Sequence, residues 1–61
     1  MNNINEMELQ TLRHLIMSHD TVSCKMSAYA EDAQTPEVKQ YFSKAAQTAK
    51  QSKEALMSFL N

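Results

Sequence analysis

His19, His14 and Cys24 are the side chains of this 61-residue chain best suited to ligate a metal or act near neutral pH. A buried histidine can serve as ligand or acid/base, and a thiolate as nucleophile or redox group. Spacing decides how much of that chemistry is available. His14 and His19 are five residues apart, so on a helix they point about 140° away from each other and cannot share an ion. A ferritin-like di-iron centre needs inward glutamates and two Glu-x-x-His pairs. No glutamate here is followed three residues later by histidine. A metal site would therefore begin and end with His19, and a stable one wants three or four converging donors.

Cys24 has Thr21, Ser27, Asp20 and Ala28 at helical neighbour positions, none of them cationic, so nothing nearby would lower its pKa. A lone cysteine also has no partner within the chain for a disulfide. Ser23, His19 and Asp20 contain the residue types of a nucleophilic triad, but a continuous helix supplies neither cleft nor oxyanion hole. The reading of these residues is that no catalytic, cofactor-binding or metal-binding residue is present. The competing chemical reading is a metal-binding or redox bundle built on His19 and Cys24.

The elements that would position these groups are two helices. Gln34-Thr35-Pro36-Glu37 is the one interruption: Thr35 suits an N-cap, Pro36 the first helical position, and Glu37 the positive end of the helix dipole. Proline also disfavours helix at the residue before it, so the first helix should stop near Ala33. The expected layout is one domain over 1–61, with a helix over about 5–33, a turn at 34–35, and a second helix over about 36–60. The first helix can start on Asn5 with Glu8, or on Asn3 with Glu6, since both pairs have the spacing of a capping box.

Apolar and small residues recur at alternating steps of three and four along both segments. In the first they are Leu9, Leu12, Ile16, His19, Ser23, Met26, Ala30 and Ala33, widened by Leu15, Val22 and Tyr29. In the second they are Val38, Phe42, Ala45, Ala49, Ser52, Leu56 and Phe59, flanked by Tyr41, Ala46 and Leu60. A stripe more than about 100° wide suits a bundle face better than a single two-helix seam. The short turn makes the helices antiparallel neighbours.

The fold class expected is all-α: an antiparallel two-helix hairpin dimerising into a four-helix bundle. Leu12, Ile16, His19, Met26, Phe42, Ala49, Leu56 and Phe59 are expected to form its core and dimer interface. A core this small rarely supplies more than about 3–5 kcal/mol by itself, which is the reason to expect a second copy. The adaptor reading is the alternative, with the stripe receiving a foreign helix.

Charge and composition exclude several classes. The net charge is −1, which gives no electrostatic footprint for nucleic acid. Glycine is absent, which argues against phosphate-cradling loops and tight β-hairpins. No apolar run approaches the roughly 20 residues that span a bilayer. The start, Met1-Asn2-Asn3-Ile4-Asn5-Glu6, has neither the basic nor the apolar stretch of a secretory leader, so a cytoplasmic protein without membrane partners is expected. The charge is uneven: Glu6, Glu8, Asp20, Glu31 and Asp32 against Arg13 and Lys25 give the first half −3. Lys39, Lys44, Lys50 and Lys53 against Glu37 and Glu54 give the second +2. The halves should attract each other.

Leu12-Arg13-His14-Leu15-Ile16 in the first helix, Lys25 and Tyr29 further along it, Thr35-Pro36-Glu37-Val38-Lys39-Gln40 opening the second, and Leu56, Phe59 and Leu60 closing it form a recognisable arrangement. Over about residues 7–60 it resembles the spore coat protein F (coat F) family of endospore-forming Firmicutes. In that family a Pro-Glu-Leu-Arg-like step begins the second helix. The resemblance implies a ferritin-like bundle and a structural, non-enzymatic role in sporulation, with deposition on the spore coat and other coat proteins as partners. Larger members have two hairpins and this chain has one, so two copies are expected to rebuild the four helices. Many members also carry an aromatic, glycine-containing tail that this sequence lacks.

Overall fold

The computed structural model describes residues 4–60 and consists of two helices packed side by side as a hairpin, measuring 46 × 14 × 11 Å. Helix α1 runs Glu6–Asp32 and helix α2 runs Pro36–Met57, followed by one 3-10 turn, Ser58–Leu60. Each helix start shows why it is where it is. Asn5 is the N-cap of α1: its Oδ1 accepts from the Glu8 amide at 2.8 Å, and its own amide donates to Glu8 Oε1 at 3.2 Å. That reciprocal pair satisfies two donors that would otherwise be orphaned. The alternative start at Asn3 lies outside the described residues, and the capping box belongs to Asn5.

Helix α1 ends at Ala33, whose backbone turns extended (φ −69°, ψ 136°) while its amide still donates to the Tyr29 carbonyl at 2.9 Å. The start of α2 differs from expectation. Thr35 occupies the N-cap position with Pro36 behind it, but its hydroxyl makes no capping hydrogen bond. Proline supplies the preset φ and removes one orphan donor, so the helix starts without the side-chain cap. At the far end the Ser58 hydroxyl donates to the Ala55 carbonyl at 2.6 Å, tying down the tightened last turn.

The seam between the helices is thin. Among the described residues only Leu12, Ala30, Ala46 and Ala49 are buried, and no large side chain is fully enclosed. Along α1 the covered positions are Leu9, Leu12, Ile16, His19, Ser23, Met26 and Ala30, with Ala33 beyond its end, which is the stripe the spacing predicts. Along α2 Phe42, Ala45, Ala49, Ser52 and Leu56 of the expected stripe are covered, together with the flanking Ala46 and Leu60. Val38, Tyr41 and Phe59 remain exposed, and Lys53 is covered in addition. Lys53 enters because its aliphatic stem can line the seam while its ammonium stays outside. Small residues at 45, 46 and 49 on α2 allow close approach of the two backbones.

Candidate functional site

Two helices side by side make a ribbon, and the ribbon has two broad faces. Successive residues on a helix are about 100° apart, so Ala45 and Ala46 lean toward opposite faces with Ala49 between them. One face takes Leu15, Val22 and Tyr29 from α1 and Tyr41, Ala45, Thr48 and Ser52 from α2, with Phe59 from the 3-10 turn that follows. The other takes Asp20, Cys24, Ser27 and Glu31 from α1 and Lys39, Ser43, Lys50 and Lys53 from α2.

The first face is apolar and uncovered. Leu15, Val22 and Tyr29 are 40%, 42% and 47% exposed, Phe59 is 50% and Tyr41 69%. Near the turn three rings form a cluster: Tyr29 meets Phe42 edge-on at 5.4 Å, and Tyr41 meets the same ring at 5.6 Å. Edge-to-face geometry of this kind is favourable between aromatic quadrupoles. The Tyr29–Phe42 contact is also interhelical, so it fixes the hairpin near its closed end. Below it runs an open groove of about 480 Å³ lined by His19, Val22, Tyr41, Ala45, Thr48 and Ser52, with Lys44 and Ala49. A smaller concavity of about 280 Å³ continues along α1 toward the open end, lined by Met7, Glu8, Thr11, Leu12 and Leu15.

The second face is charged and locally paired. Lys53 Nζ donates to Asp20 Oδ1 at 2.9 Å, across the seam. That hydrogen bond, and then the carboxylate's charge, raises the lysine pKa above its ordinary value. A shallow depression of about 350 Å³ further up this face is lined by Ser27, Glu31, Lys39 and Ser43, with Ala30 and Ala46 at its floor. Spacing alone does not reveal the ion pair, although residues 20 and 53 stand nearly level on either side of the turn.

The residues singled out for chemistry fall as follows. His19 is half-buried and shares the apolar groove with Ala49 and Ser52. No hydrogen bond joins it to Ser23 or Ser52 among the described residues. Cys24 is exposed, on the charged face. His19 and Cys24 therefore belong to different sides of the ribbon. Among the described residues no three His, Cys, Asp or Glu side chains lie close enough to share a metal ion. Of the positions expected in the core and interface, Leu12 and Ala49 are buried. Ile16, His19, Met26, Phe42 and Leu56 are half-buried along the seam, and Phe59 stands out on the apolar face.

The class of protein that fold and surface define is an all-helical, two-helix hairpin with one uncovered apolar face. Among the described residues, no helix is long and apolar enough to cross a membrane. The chain matches no protein-family model, no curated protein and no solved structure.

Proposed function

We propose that this chain is a non-enzymatic structural component that works as a homodimer, two hairpins forming a four-helix bundle of ferritin-like architecture without a metal centre. The observation that carries the reading is the mismatch between seam and surface. The seam buries one leucine and three alanines, while Leu15, Val22, Tyr29, Tyr41 and Phe59 lie in water on one side. A core that thin falls short of the several kcal/mol an independent domain needs. Covering the apolar face adds the missing burial at about 25 cal/mol per Å².

The setting we propose is the spore coat of an endospore-forming bacterium, with synthesis in the cytoplasm and other coat proteins as further partners. It rests on the resemblance of the Leu12–Ile16 and Thr35–Gln40 segments to the coat F family. The dimer is tested by sedimentation equilibrium at micromolar concentration, where twice the chain mass is expected. A fully folded monomer persisting at nanomolar concentration contradicts it. The setting is tested by the time of appearance: accumulation during sporulation and recovery in the coat fraction are expected, and accumulation confined to vegetative cells contradicts it.

A further inference from the structure

Resting on the homodimer reading, we infer which surfaces meet: the apolar face of one hairpin lies on the apolar face of a second copy, α1 of each over α2 of the other, with the two-fold axis parallel to the helices.

Area argues for a partner of this size. Two separate hairpins of 4902 Å² each expose about 3,100 Å² more than the roughly 6,700 Å² of one compact body of twice the 7.0 kDa chain mass. That surplus accommodates an interface of standard size, about 800 Å² per partner.

The identity of the face follows from the contrast between the two sides. The charged side already pairs Asp20 with Lys53 and presents Glu31, Lys39, Lys50 and Ser43 to solvent. Burying it would desolvate several charges for little apolar gain. The opposite side offers Leu15, Val22, Tyr29, Tyr41 and Phe59, and Lys44, which lines its groove, is exposed.

Charge then selects the pairing. Helix α1 carries −3 and α2 carries +2, so α1 over a second α2 joins opposite signs twice, whereas α1 over α1 joins like with like. A two-fold axis along the helices also preserves height. Asp20 is level with Lys53, and Tyr29 with Phe42. Val22 of one copy therefore comes opposite the small positions Ala45, Thr48 and Ser52 of the other, and Tyr29 opposite the other copy's Tyr41. Large residues meet small ones along the groove, and rings meet rings at its end.

Two variants of equal charge change test the face. Val22→Lys should raise the dimer dissociation constant more than about 100-fold, because it desolvates an unpaired charge. Ser27→Lys, on the charged side, should leave it within about twofold. Far-UV circular dichroism at high protein concentration accompanies both. A dimer that survives Val22→Lys but is lost with Ser27→Lys overturns the face assignment and leaves the homodimer standing. A wild-type chain that is monomeric throughout overturns the homodimer itself.

Thiol protection gives a readout that does not depend on the lysine variant folding. In a Cys24→Ser background, the thiol of Val22→Cys should be shielded from alkylation at dimer concentrations, while Cys24 of the natural chain reacts freely. The reverse pattern overturns the assignment. Added salt should weaken the dimer by screening attraction between unlike helices. A dimer strengthened by salt overturns the α1-over-α2 pairing.

Discussion

The two faces of the hairpin come from the same two helices, yet they leave very different side chains in water. On the charged side, polar groups are solvated or paired, with Lys53 on Asp20 at 2.9 Å. On the apolar side, two tyrosines, a valine, a leucine and a phenylalanine stay between 40% and 69% exposed. A surface phenylalanine or leucine alone means little, but a continuous exposed row along both helices is the kind of surface at which interaction sites occur. The contrast teaches that the row closing the hairpin and the row left uncovered are different rows of side chains. The seam row fixes the antiparallel pairing, and the flanking row remains available for a partner.

Adjacent residues give the strongest test of that contrast. Phe42 holds the ring cluster at the seam, touching both Tyr29 and Tyr41, while Ser43 points to the charged side. Phe42→Ala should cost about 3 kcal/mol, the low end of the usual range because the ring is half-covered. That is comparable to the whole stability of a chain this small. Ser43→Ala should stay within about 0.5 kcal/mol. Urea denaturation at one fixed protein concentration measures both. Equal effects from the two neighbours would break the distinction between the faces.

The smallest effect is expected on the charged side. Asp20→Asn removes the partner that raises the Lys53 pKa, through the lost hydrogen bond first and the lost charge second. A lysine whose folded pKa lies above its unfolded one stabilises the fold fully below the ordinary lysine range, and loses that stabilisation as pH rises through the raised value. The natural chain's advantage over Asp20→Asn, on the lysine's account, should therefore be flat from pH 6 to 9, decline only in strongly alkaline solution, and shrink with salt. A melting temperature lowered as much by Asp20→Asn as by Phe42→Ala would make the charged side the main support of the hairpin.

Much of this architecture is legible in the sequence, and the parts that are not have identifiable physical causes. The α1 seam can be read residue by residue from Leu9 to Ala30, because steps of three and four dominate there. On α2 the expected stripe is covered from Phe42 to Leu56 with the flanking Ala46 and Leu60, but the apolar Val38 and Phe59 at its ends stay exposed, and the stem of Lys53 enters the seam unannounced by the pattern. A hydropathy pattern counts lysine as polar throughout, but its four methylenes pack like an aliphatic chain. Caps divide in the same way. Asn5 and Glu8 form the box their spacing suggests, while Thr35 leaves its hydroxyl unused because Pro36 already sets the helix start. The division of the wide apolar stripe into a seam row and a flanking row follows the spacing on α1, where Leu15, Val22 and Tyr29 stand apart from the row running from Leu9 to Ala30. What spacing does not give is the degree of cover: the second helix buries Leu12 and Ala30 and leaves Val22 and Tyr29 exposed.

The central claim is that the hairpin is completed by a second copy of itself, and the melting temperature as a function of chain concentration tests it most directly. For a dimer that unfolds to two chains, each tenfold rise in concentration adds about 1.4 kcal/mol per dimer, so the melting curve should move steadily upward. At the dilute end the helical signal should fall away as the two hairpins part. A melting temperature independent of concentration, with full helicity retained down to nanomolar chain, would contradict the account.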